Sequence, residues 1–233
     1  MSIIYLVRHG QTSFQGTRYD HLTENGRQQA RILGEFFAMT NRSFDACFTG
    51  ALERQKETAA IILKAMKAKM AEPLVVPGLD EHDTGAIIRA QIPELSRTDP
   101  SFSGDVASIS NDQQSFKRVL EASLLRWAGG GRQSAGVETW AEFTGRVRAG
   151  LQSVAASCGY GKKALVVTSG GPIGAAMQWA LGLDAEKAIR LAWRVRNASV
   201  SLFRITTEGA ELLAFNSIAH LEAQNDPSLL TVL

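Results

Sequence analysis

Apolar residues along the chain fall into short unbroken runs that alternate with longer stretches where they recur every three or four positions, which is how buried strands alternating with amphipathic helices are written. The first run, Ile3-Ile4-Tyr5-Leu6-Val7, is rich in β-branched and aromatic types, long enough for a strand covered on both faces and too short for an independent helix. After a polar loop over 11–20, Thr23 suits a helix cap and Glu24 the positive end of the dipole, with Ala30, Leu33, Phe36 and Phe37 on one face. The spacing predicts a strand over 44–49, a helix from 51 to about 70, a short strand between Pro73 and Pro77, and a helix after the capping box Thr139 to Glu142. A buried strand over 164–168 runs into Ser169-Gly170-Gly171-Pro172, with Pro172 read as the first position of the next helix. A further helix over 185–193 precedes two strands, 199–206 and 210–215, joined by Glu208-Gly209 as a hairpin.

The pattern degrades between 86 and 134, where Ser, Asp, Gln and Gly dominate, Pro93 and Pro100 read as breaks, and only 116–127 looks helical. About 50 residues of this polarity bury little apolar surface alone. The chain is therefore expected to form one domain over 1–233, with about 86–134 as a cap segment inserted over one end of the sheet and Gly129-Gly130-Gly131 as a connector. Strand alternating with helix, closed by a hairpin, predicts a three-layer α/β/α sandwich whose sheet is mostly parallel with an antiparallel edge.

Composition narrows the function class. Hydrophobic residues make up 45% and charged residues 21%, ordinary for a soluble globular protein. A formal net charge of +2, with Lys and Arg spread along the chain, argues against a dedicated nucleic-acid surface. Cys47 and Cys158 have no ligand spacing and read as small buried hydrophobes in a reducing compartment. Arg8 interrupts the only apolar start, and no stretch approaches the roughly 20 apolar residues that cross a bilayer. The expectation is a cytoplasmic protein that engages neither membrane nor nucleic acid; a homodimer is left open.

Several predicted strand ends deliver polar groups together: Arg8-His9-Gly10 after the first strand, Arg54 just beyond the second, Glu81 after the third, and the Ser169-Gly170-Gly171 turn before a helix. Strand carboxyl ends are where α/β sheets bind ligands. Two guanidinium groups, an imidazole, a carboxyl and a helix N-terminus are the set that phosphoryl transfer to a protein nucleophile needs. None of the four histidines shares metal-ligand spacing on one element, so no metal and no cofactor are expected.

These residues also resemble a known family, the histidine phosphatase superfamily that includes phosphoglycerate mutases and broad-specificity phosphatases. The likeness rests on Leu6-Val7-Arg8-His9-Gly10-Gln11-Thr12, on Asp20 to Ala30, on Thr49 to Ala59 around Arg54, and on Leu79 to Gly85 around Glu81. It implies a phosphoglycerate mutase-like fold and a metal-independent phosphatase acting on a small phosphate ester or a phosphoprotein. In it His9 becomes phosphorylated, Arg8, Arg54, Gln15, Ser169 and Gly170 hold phosphate, and Glu81 moves the proton. His82, beside Glu81, and His220, in a similar C-terminal pattern, are further candidates.

Two positions depart from the family pattern. Ser169 stands where a second His is usual, which forfeits a charge-assisted hydrogen bond of roughly 1.5–3 kcal/mol, a slowing of one to two powers of ten. Gln15 stands where many members have Asn. The first departure motivates a rival reading, a non-catalytic phosphate or phosphoprotein binder. A mutase ranks lower because the extra Arg-rich and Gly-Glu-Ser motifs are missing. Arg89, Arg97, Lys117, Arg118 and Arg126 are candidate contacts for a second anion, against the plainer reading of solvated charge.

Overall fold

Six strands form one sheet in the order β3-β2-β4-β1-β5-β6 in the computed structural model, which describes residues 1–13, 20–109, 111–131, 134–206 and 208–232. The strands are β1 (Ser2–Arg8), β2 (Ala46–Thr49), β3 (Leu74–Val75), β4 (Lys163–Thr168), β5 (Val200–Ile205) and β6 (Ala210–Ser217). β1, β2, β3 and β4 pair in parallel, while β5 runs antiparallel to β1 and β6 antiparallel to β5. This is the mostly parallel sheet with an antiparallel edge.

The strict alternation of side chains along a strand makes the layers. Ile4 and Leu6 of β1 enter one apolar core together with Phe48, Ala164 and Val166. Tyr5 and Val7 enter the other, with Cys47, Leu165 and Val167. The second core is covered by α1 (Glu24–Met39) and α2 (Glu53–Ala65), which contribute Leu33, Phe37, Ala59 and Ile62. Thr23 caps α1 by accepting the Gly26 N–H. α2 stops at Ala65 instead of near 70, because Lys67 takes a positive φ of 52° that no helix continues.

The first core is covered by α6 (Trp140–Cys158), capped by Thr139 and Glu142, and by α7 (Gly170–Leu181) and α8 (Ala185–Ala192). Ser169 occupies the cap of α7, so Pro172 is its third residue, where the missing N–H is one of the orphans of a helix start. Cys158 is half-buried while Cys47 is buried, and both thiols are free.

The segment read as mostly irregular is helical: α3 (Thr84–Thr98), α4 (Ser101–Ser108) and α5 (Gln113–Ala128). Its polar residues are caps and outer faces. Asp83 accepts from Ala86 N–H, and Asp112 from the N–H groups of Gln114 and Ser115. Pro93 lies inside α3 at an exposed position, and Arg89, whose carbonyl would otherwise take its N–H, is exposed as well. Ile87, Ile88, Val119, Leu120, Leu124 and Trp127 face inward and join the first core, so these helices share the apolar interior of the sheet. After β6 come α9 (Ala219–Glu222) and a 3-10 turn over Pro227–Leu229. Among the described residues no helix is long and apolar enough to cross a membrane.

Candidate functional site

From β1 the chain crosses by α1 to β2 on one side of β4, and from β4 it crosses by α7 and α8 to β5 on the other side of β1. Adjacent parallel strands whose connections diverge leave a crevice at their carboxyl ends. Arg8 pairs with Thr168 at that edge, and the His9 N–H donates to the Thr168 carbonyl at 2.8 Å.

Gly10 follows where no side chain fits, because a Cβ there would collide with the backbone of Gly26 in the first turn of α1. Its N–H donates to Thr58 Oγ1 at 3.1 Å, and its carbonyl lies 2.7 Å from His9 Nδ1. A carbonyl only accepts, so Nδ1 carries the proton and Nε2 keeps its lone pair. Nε2 receives the Arg54 Nε–H at 3.2 Å. Burial, with the charges of Arg8 and Arg54 beside it, holds the His9 pKa well below its usual value. The ring is neutral and has two cations beside it.

Both guanidinium groups are anchored from behind. An Arg8 Nη1–H donates to the Val195 carbonyl. Arg54 Nη1 pairs with Asp20 Oδ1 at 2.7 Å, and Asp20 Oδ2 accepts the Glu53 N–H at 2.9 Å. Asp20 thus supplies the acidic partner at the start of α2, whose own cap residue, Leu52, has no side-chain acceptor. Asn197 Nδ2 donates to the His9 carbonyl at 3.2 Å.

Glu81 rests on the N-terminus of α7. Its Oε2 accepts the Gly171 N–H at 3.0 Å, and its Oε1 accepts the N–H of His82 at 3.2 Å. The two N–H groups fix the position of the carboxyl at the mouth of the turn. His82 lies edge-on to Trp127 and Phe143, with its Nε2 3.6 Å from Glu81 Oε1. The turn before Glu81 is clamped from α6, where Arg146 donates to the carbonyls of Gly78 at 3.1 Å and Asp80 at 2.8 Å while its guanidinium is paired with Glu138.

Arg8, His9, Arg54, Glu81, His82 and Gly170 therefore line one cavity of about 780 Å³. Two candidates fall elsewhere, and a third is not among the described residues. The Ser169 side chain is fully buried outside the cavity lining, and its Oγ accepts the Gln55 Nε2–H at 2.9 Å. His220 is buried against Phe36 with a hydrogen bond to the Ala198 backbone, and burial lowers its pKa to about 4. Gln15 lies outside the described residues. Arg146 and Asn197 were not singled out from sequence, and Asp20 and Gln55 entered only within longer stretches, because each acts on a segment far along the chain. Among the described residues no group of three or more His, Cys, Asp or Glu is placed to hold a metal ion.

Comparison with known proteins agrees with this geometry. The family model described as "Histidine phosphatase superfamily (branch 1)" matches residues 4–218. The chain is 30% identical over 204 residues to the probable phosphoglycerate mutase GpmB of Photorhabdus laumondii, covering 85% of this chain and 82% of that protein. Among solved structures it is similar to a phosphoglycerate mutase from Bacillus anthracis, with TM-score 0.66, 18% identity and 97% of each chain covered. It is also similar to a phosphoserine phosphatase from Entamoeba histolytica in complex with 3-phosphoglyceric acid, with TM-score 0.65 and 21% identity over 95% of this chain and 100% of that one.

Proposed function

The chain belongs to the histidine phosphatase superfamily, and within it we propose a phosphomonoester hydrolase that works through a phosphohistidine on His9. The observation that carries this reading is the buried, neutral His9 ring, whose Nε2 lone pair faces the anchored Arg54 guanidinium in a cavity shared with Arg8 and the Glu81 carboxyl.

The ester's dianion enters between Arg8 and Arg54, and the Arg54 Nε–H turns from His9 to a phosphoryl oxygen. Nε2 attacks phosphorus in line with the leaving oxygen. The N–P bond forms as the P–O bond to the alcohol breaks, and Glu81 in its acid form gives its proton to the departing oxygen. The Nδ1–H stays on the Gly10 carbonyl and stabilises the cationic phosphoimidazole. Water then attacks phosphorus, Glu81 takes its proton, and phosphate leaves with His9 neutral again. Arg8, Arg54 and the N-terminus of α7 balance the equatorial charge in both steps, with no metal required. The chain acts as one domain over 1–233, with α3, α4 and α5 as its cap.

Ser169 favours one rival, a binder that has lost turnover, since its hydroxyl is turned to Gln55. A pulse of ester labelled at phosphorus, quenched in alkali, separates the two. The hydrolase yields an acid-labile phosphohistidine that is absent from His9→Ala; a wild type that binds phosphate, never labels and releases none is the binder. Conversion between phosphoglycerates stimulated by a bisphosphate identifies a mutase.

A further inference from the structure

The cavity has two unlike ends. One holds Arg8, His9, Arg54 and Glu81; the other is walled by Ile88 of α3, Phe116, Leu120 and Leu124 of α5, and Ile189 and Trp193 at the end of α8. About 780 Å³ is in the range of pockets that enclose a drug-sized molecule, far more than one phosphoryl group fills.

Charge is arranged the same way. Among the described lining residues, the guanidinium groups are those of Arg8 and Arg54, both at the phosphate end, and the carboxylates are Asp20, Glu81 and Asp83. Three basic residues of the cap are paired with carboxylates of the cap itself: Arg97 and Arg126 with Glu94, and Arg118 with Asp105. A leaving group with a second anion would meet no further Lys or Arg among the described lining residues and would set its charge against six apolar side chains. An apolar body there takes its own surface out of water and covers the half-buried Phe116 and Trp193.

We propose that the leaving group is an uncharged, apolar alcohol, its hydrocarbon or aromatic body lying against α3, α5 and α8. This rests on the hydrolase reading for turnover, though not for binding. The phosphate end fixes orientation, and the cap chooses among esters by burial.

A series of n-alkyl monophosphates from ethyl to octyl tests this, because their leaving oxygens are alike and their apolar length is not. kcat/KM is expected to rise about fourfold per methylene over the first carbons, the factor for one fully buried CH₂. Both 3-phosphoglycerate and phosphoserine are expected below butyl phosphate. The affinity of His9→Ala for the same series, by calorimetry, reads the wall without turnover and should climb in parallel. Phe116→Asn, at a half-buried position, should flatten the slope, with thermal unfolding as the control for folding. A flat series in both measurements, or 3-phosphoglycerate processed as fast as butyl phosphate, overturns the proposal. Labelling of His9 by ethyl phosphate alongside a flat series leaves the hydrolase standing; absence of any labelling alongside a steep binding series does the reverse.

Discussion

Gly171→Ala probes the link between Glu81 and the leaving group. A Cβ at 171 would lie 3.0 Å from Glu81 Cδ and 3.1 Å from His82 Cδ2, and closer still to Glu81 Oε1, where ordinary contact begins at 3.4 Å. Both neighbours are held, Glu81 by the Gly171 N–H and His82 by Trp127 and Phe143, so the carboxyl is the group that gives way, by on the order of 1 Å. A displacement of that size in a reacting group costs about 100-fold in rate. The loss should depend on the leaving group. An alkyl oxygen needs its proton in the transition state, whereas 4-nitrophenolate departs without one. Steady-state kinetics on butyl phosphate and 4-nitrophenyl phosphate should therefore show kcat/KM, which covers only the steps up to the phosphohistidine, falling about 100-fold for the first and less than 10-fold for the second. Thermal unfolding, expected within a few degrees of wild type, controls for misfolding. Equal falls for both esters would refute Glu81 as proton donor, and no fall for either would refute the steric argument.

Two further outcomes follow from the buried groups. His220 has a pKa near 4 when folded and near 6.5 when unfolded, so the unfolded chain binds its proton first as pH drops. Its contribution is intact above pH 6.5 and declines below it, by about 3 kcal/mol at pH 4; urea unfolding of His220→Phe should lack that part of the decline, and identical pH dependence in both proteins would contradict the assignment. Ser169→His forces an imidazole into the fully buried space that Gln55 shares, costing about 1–3 kcal/mol of stability. Gln55→Ala in the same chain should recover the stability and tighten phosphate binding; a stable, more active Ser169→His alone would show that the space was already there.

Sequence by itself determined the elements with a local cause and the chemistry at their ends. The run Ile3 to Val7 is a strand because it is apolar at both parities, and Thr139 and Glu142 start a helix because their side chains reach N–H groups within one turn. Those strand ends also carried Arg8, His9, Arg54 and Glu81, which line one cavity as their positions at strand ends implied. The cap was misread for the same local reason: Asp83 and Asp112 look like loop residues until the helices they cap exist, and Pro93 looks like a break until one side of α3 is open to water.

Only tertiary structure decided which distant residues hold the site. That β1 lies between β4 and β5, that Arg146 reaches from α6 to the turn before Glu81, that Asn197 supports His9, and that Ser169 faces Gln55 instead of the cavity all depend on contacts between segments tens to more than a hundred residues apart. A hydrophobic period reports which face of an element is buried. It carries nothing about which polar group waits on the element across from it.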